Sequence, residues 1–442
     1  MEQILQYVWQ HKIFPIRPLA TSDGRKLEIL NPGLLNHDSG PDFIGARIKI
    51  DDVTWVGNVE VHIKSSDWFR HHHDTNPDYD NIILHVAMTI DRDILYPDGR
   101  PVPQMELPIP DHVLDNYHEL LAAHSDPRCK YVVQHIPQLL VHNFMSSLVV
   151  ERLERRSMQI DERLRECGGD WENVCMITVM RNFGFGLNGD AFERLAYSLP
   201  MQALSKHRDD LLQIEALFFG QAGLLSDDAM PDQHAGNSSA DKYYQTLRRE
   251  YAYLRHKFGL EPMSANYWRF LRLRPQNFPH VRIAQLAMMY HERKVGMSRI
   301  IEASDINHLY EVFDTHVSTY WMTHYSFAAP ASHEVGKSPT KATKDLLIIN
   351  SVIPLLFAYG KYKSLGNLCE KAIGLLEELR PENNRYVREW KAAGIECCNA
   401  GDSQALLHLT RTYCQPHECL RCRFGHEFIR QTPDFLREMK QT

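Results

Sequence analysis

No run of the 442 residues approaches twenty consecutive apolar ones, so no membrane-spanning helix is expected. The opening "MEQILQYVWQHKIF" lacks a basic region followed by an apolar core, which argues against a signal peptide. The nine cysteines are an odd number and mostly scattered. That fits a reducing cytoplasm better than a disulfide framework, and a cytoplasmic location is expected. No repeat of convincing period is present, the copies of "ERL" at Arg152 and Arg163 being too short to count. Positive charge is also short overall, with a net charge of −7. That total hides an asymmetry along the chain.

What is present is an ordinary globular composition, 43% apolar, in a chain long enough for two or three domains. The charge is unevenly placed. Residues 1–100 carry 10 Lys/Arg against 15 Asp/Glu, whereas residues 241–300 carry 12 Lys/Arg against 4 Asp/Glu. An acidic end suits metal and a basic middle suits phosphate.

Residues 2–11 read as a short amphipathic helix with Ile4, Leu5, Val8 and Trp9 on one face. "RKLEIL" reads as a strand that enters a loop rich in Gly, Asn, Asp and Pro. "ARIKI" and "TWVGNVEVHIK" alternate as a hairpin across Asp51-Asp52. "NIILHVAMTI" is apolar enough for a central strand, and "YPDGRPVPQMELPI" reads as a turn and an edge strand. From about residue 111 the pattern becomes helical, with "SDDAMPDQHAGNSSADK" (226–242) the best linker. The expected organisation is an α/β domain over 1–110, a helical domain over 111–345 and a C-terminal helical region over 346–442.

The segment "VEVHIK" places Glu60, His62 and Lys64 on one face of a strand, with Val59, Val61 and Ile63 facing the other way. Pairing within the hairpin brings Asp42 beside this strand. Two carboxylates converging near a sheet edge can hold Mg2+ or Mn2+, and the metal would lower the pKa of a bound water and neutralise charge on a phosphate. The plainer reading is the solvated face of a half-buried sheet. Nearby, "WFRHHHDTNPDYDN" offers His71, His72, His73 and Asp74 for metal or phosphate, or as a polar loop. His85 interrupts an apolar strand and is either a hydrogen-bonded core histidine or a neighbour of His62.

The order of helix, strand with Pro41-Asp42, hairpin, strand with Glu60, helix and strand resembles the PD-(D/E)XK nuclease superfamily over about residues 1–110. The resemblance implies a nuclease-like mixed sheet and metal-dependent hydrolysis of phosphodiester bonds in DNA or RNA. Asp42 and Glu60 would then be metal ligands. The sequence departs from the motif at the lysine, two residues after the acid, where His62 stands. Lys64 comes two later, so His62 or Lys64 would orient the attacking water. The whole chain also resembles a bacterial family of uncharacterised proteins (domain of unknown function 2851), which lends no function.

In the basic middle, Arg248, Arg249, Arg255, Lys257, Arg269, Arg272, Arg274 and Arg282 interleave with Tyr243, Tyr244, Tyr251, Trp268 and Phe270. Arg269, Arg272 and Arg274 are the candidates for nucleic-acid contact. The aromatics are either stacking platforms or helical core. At the end, "CQPHECLRC" sets Cys414, Cys419 and Cys422 close together. With a fourth ligand from His417, His426, Cys397 or Cys398 they would bind structural Zn2+. An iron–sulfur cluster, which some nucleases of this fold carry after their core, needs a fourth cysteine that the sequence does not single out.

Two further functions stay open. One is a non-catalytic nucleic-acid-binding or scaffold protein that keeps the fold. The other is a small-molecule hydrolase whose Zn2+ sits on His71, His72 and His73.

Overall fold

A computed structural model describes the chain except residues 15–17, 37, 124–126, 227–240, 328, 331–333, 335 and 442. All but the ends of the expected 226–242 linker therefore lie outside the described residues. The contacts divide the chain into two units. The first comprises residues 1–141, 388–396 and 409–442; the second comprises 142–387 and 397–408. The expected boundary near residue 110 falls within the first unit, and the cysteine tail belongs to that unit too.

In the first unit, α1 (Glu2–Gln10) buries Ile4, Leu5, Tyr7, Val8 and Trp9 and packs against the sheet's long strand. The strands are β1 (Leu19–Ala20), β2 (Lys26–Asn31), β3 (Leu34–Leu35), β4 (Phe43–Ile50), β5 (Val53–Lys64), β6 (Ile82–Thr89) and β7 (Gln104–Glu106). Their order is β1-β2-β4-β5-β6-β7, with β3 added onto β4. The pairs up to β4–β5 are antiparallel, and β5–β6 and β6–β7 are parallel. The hairpin turns at Asp51-Asp52, where Asp51 takes φ +50°. Parallel pairing needs a crossover, and here it is made by α2 (Asp67–Arg70) and two short 3-10 turns, His73–Thr75 and Pro77–Tyr79. That crossover rests on a small core of Trp68, Tyr79, Ile82, Ile94 and Val102.

Beyond the sheet come α3 (Asp111–Ala122) and α4 (Lys130–Val133). A helix near the C-terminus, Arg423–Ile429, packs on both. The buried Asn116 amide donates to the carbonyls of Ile429 (3.0 Å) and Gln431 (2.8 Å), satisfying oxygens left open at the end of that helix.

The second unit is mostly helical, with one two-stranded antiparallel pair, His324–Ser326 and Ala329–Pro330. α5 (Gln138–Glu166) runs into it, followed by α6 (Trp171–Phe183), α7 (Gly189–Ser198), α8 (Met201–His207), α9 (Leu211–Gln221), α10 (Lys242–Phe258) and α11 (Pro279–His291). α9 packs against both α10 and α11. A later helical run, Lys341–Tyr362, meets the length and composition of a membrane span, which the sequence reading did not pick out. Of its apolar stretch, 61% is buried within the protein, as in the core helix of a globular unit.

Candidate metal centre

Asp42 and Glu60 brace each other across β4 and β5. The register sets Phe43 opposite Val59, so Asp42 lies level with Glu60. The Asp42 N–H donates to Glu60 Oε2 at 3.0 Å, and the Val61 N–H donates to Asp42 Oδ2 at 3.0 Å. Gln6, from α1, donates to Asp42 Oδ1 at 2.9 Å. Glu60 is 4% exposed and His62 is 1% exposed. The alternation in "VEVHIK" is therefore not a solvated face: Val59 and Val61 are buried on one side and Glu60 and His62 on the other.

Three histidines close over Glu60. His72 takes a left-handed conformation, φ +60°, and reverses the chain after α2. His71 and His73 thereby return over β5. His62 Nε2 lies 3.2 Å from His71 Nδ1, and His62 Nδ1 lies 2.8 Å from His85 Nε2, so one ring nitrogen is held from behind. His73 Nε2 sits 3.2 Å from Glu60 Oε1 without the alignment of a hydrogen bond, and His62 Nε2 sits 3.5 Å from the same oxygen. The His73 ring stacks on Tyr79 with centroids 3.9 Å apart. One ligand atom each from His62, His71 and His73 lies within 4.8 Å of the others, the one such set of three among the described residues.

The electrostatics follow from burial. Desolvation, and then the charge of Glu60, raise Asp42 to about 7. Desolvation raises Glu60 to about 8. Burial, reinforced by His85, His73 and His71, lowers His62 to about 2. Burial lowers His73 as well. His62 is thus a neutral imidazole, the form that ligates metal. A donor set of neutral imidazoles beside carboxylate suits Zn2+ or Mn2+ better than Mg2+, which takes oxygen ligands.

Asp42, Glu60 and His62 come together as the sequence reading expects. Lys64 shares their strand but is exposed at its end, where its backbone N–H donates to Asp67 Oδ2 at 3.2 Å. The cation whose charge acts on His62 is Arg70, which sequence reasoning passed over, as it did Glu2 and Gln6 on α1.

Arg269, Arg272 and Arg274 are exposed in the second unit. The aromatics around them are mostly core. Trp268, Tyr244 and Tyr251 are buried, and Trp268 Nε1 donates to the Ala222 carbonyl at 2.8 Å. Arg282 is also buried, donating to Gln285 and Asn277.

Cys414, Cys419 and Cys422 are all buried in the first unit. Of the proposed fourth ligands, Cys397 and Cys398 belong to the second unit. His426 is engaged by the Tyr7 hydroxyl at 2.6 Å, and His417 by Arg128.

Fold and site together define an α/β unit with a buried carboxylate–imidazole cluster, in a chain that is otherwise mostly helical. The chain belongs to the family described as protein of unknown function (DUF2851), whose pattern matches residues 2–385. Neither a curated protein nor a solved structure matches it.

Proposed function

We propose that the first unit is a metal-dependent phosphodiesterase acting on DNA or RNA, with a site of PD-(D/E)XK type in which His62 stands at the lysine's place. One observation carries this reading. Two carboxylates, Asp42 and Glu60, are shielded from water side by side, and two imidazole nitrogens, of His62 and His73, stand against one of them with His71 beside them. Such carboxylates repel each other unless protonated or neutralised by a cation. The element order adds support: α1, then β2, β4 immediately preceded by Pro41-Asp42, β5 with Glu60, α2, and β6 parallel to β5.

Glu60, His62, His71 and His73 would hold the metal, which supplies an activated water and charge neutralisation at phosphate. The chain's own residues do the rest. Asp42 fixes Glu60 through its backbone N–H, leaving Oε1 turned towards the histidines. His85 fixes His62, so that its Nε2 faces the cluster. Arg70 offers a cation for a phosphate oxygen. Arg269, Arg272 and Arg274 offer backbone phosphates a sequence-independent contact.

The test is cleavage by the purified protein with Mn2+ or Zn2+. Single- or double-stranded nucleic acid should be cut, and Glu60→Ala should abolish cutting. Equal cleavage by wild type and Glu60→Ala would assign the activity elsewhere. The exposed position of Lys64 favours a second reading, a protein that binds nucleic acid without cutting it. Under that reading no metal gives cleavage, and Glu60→Ala binds as wild type does.

A further inference from the structure

A cleft of about 470 Å3 lies against the metal centre, wholly within the first unit. α1 lines it with Gln3, Gln6 and Gln10, α3 with Tyr117 and Leu121, and the segment 416–421 with Leu420 and Arg421. Its borders are fixed by contacts between elements far apart in sequence. The Tyr7 hydroxyl of α1 stands 2.6 Å from Nδ1 of His426, on the helix Arg423–Ile429. Asn36, also in the lining, donates its backbone N–H to the Asp42 carbonyl at 2.7 Å and its amide to the Pro41 carbonyl at 3.0 Å.

Cleft and metal centre share α1. Glu2 is close enough for its charge to act on Asp42, Glu60 and His73, and the next residue, Gln3, lines the cleft. Gln6 lines the cleft and donates to Asp42 Oδ1 at 2.9 Å. A group seated in the cleft therefore stands one side chain away from the carboxylate pair.

The lining suits a nucleobase better than a run of phosphates. The side chains of Gln3, Gln10, Tyr117 and Arg421 make no hydrogen bond or ion pair with any described residue. A glutamine amide sets a donor beside an acceptor, the complement of a base edge. Tyr117 is partly buried and supplies an aromatic ring, while Leu35, Leu121 and Leu420 supply apolar contact. Arg421 is answered by Glu418 in the same lining, so the cleft lacks the cationic excess that a phosphate backbone needs.

We infer that this cleft seats one unpaired nucleoside of the strand being cut, and that the substrate is therefore single-stranded. The inference rests on the phosphodiesterase reading of the metal centre. A base inside a duplex presents only its groove edges and must leave the stack before it can enter such a cleft.

With Mn2+, the full chain should cut a single-stranded oligonucleotide about tenfold or more faster than the same strand annealed to its complement. Tyr117→Ala should raise KM for the single strand about fivefold or more, the loss of one stacked base, while titration shows Mn2+ affinity unchanged. Should Tyr117→Ala fail to fold, the exposed pair Gln3→Ala and Gln10→Ala, combined in one variant, should raise KM in the same way. Duplex cut as fast as single strand, or KM unchanged in the folded variant, would overturn the inference and leave the phosphodiesterase standing. Wild type that cuts nothing with any metal would instead sink the phosphodiesterase reading, and calorimetry with nucleoside monophosphates then judges the cleft. Binding weakened in the same variant supports a nucleoside site; binding that is absent, or equal in variant and wild type, overturns it.

Discussion

Glu60 is held in place by a backbone N–H on one oxygen, while the other faces two imidazoles, and this has a measurable cost. The folded acids titrate at about 7 and about 8, against roughly 4 when unfolded. Between those limits the metal-free folded protein binds more protons than the unfolded chain, so its stability falls as pH rises through about 8. The histidines act in the opposite sense. His62 and His85 are lowered to about 2 and about 4, so stability is lost as pH falls below roughly 6.5. Above that pH these histidines are neutral in both states, and the raised carboxylates, the buried Glu215 at about 7 among them, set the trend. In chelator, urea unfolding should therefore show wild type weaker at about pH 8.5 than at about pH 6.5, by on the order of 1–3 kcal/mol. Glu60→Gln should show less than half of that difference, and saturating Mn2+ should remove it. A wild-type profile that stays flat over this interval would mean that the two carboxylates are solvated.

The critical element is the parallel pair β5–β6. It carries Glu60 and His62 on one strand and His85 on the other, with Glu60 registered against His85. The strands approach closely at Gly57, where a Cβ would lie 2.4 Å from Ile83 Cγ2 and 2.8 Å from the Asn81 carbonyl oxygen. The register slips by one residue just beyond, between Asn58 and Val59. Gly57→Ala must force β5 away from β6 and should cost about 1–3 kcal/mol, as overpacking generally does. Because the histidine contact spans the same two strands, Mn2+ affinity should weaken as well. Titration of the variant with metal, beside its urea midpoint, checks both effects. A variant with unchanged stability and affinity would show that the strands tolerate separation.

At the scale of the molecule, the electrostatic division matters most. The acidic excess of residues 1–100 lies with the metal centre, and the exposed arginines of the basic segment 241–300 lie in the second unit. If that unit binds a phosphate backbone, affinity should fall steeply with salt, because binding releases condensed counterions. Replacing Arg269, Arg272 and Arg274 together should weaken binding uniformly across sequences and reduce the salt slope by roughly two to three. Affinity indifferent to both salt and these replacements would leave the segment as ordinary surface. Electrophoretic or anisotropy titrations over a range of ionic strength give both quantities.

The sequence by itself determined those features whose cause is local. Alternation in "VEVHIK" marks a strand because side-chain direction in a strand repeats every two residues, and Asp51-Asp52 marks its turn. Pro41-Asp42 and Glu60 were legible as a pair because a hairpin returns its partner strand within a few residues. Helical periodicity likewise revealed the long run after residue 111. Only the tertiary structure decided what depends on distant segments meeting. The face carrying Glu60 and His62 is buried because the histidine turn covers it; alternation alone reads as solvated. His62 meets His85 because β6 pairs in parallel, which no local pattern encodes. Whether a basic aromatic segment is platform or core also depended on packing, which took Trp268, Tyr244 and Tyr251 inside and left the three arginines in water. Propensity and periodicity act over a few residues, whereas a site is assembled by chain closure, and the free energy of that closure is spread over the whole unit.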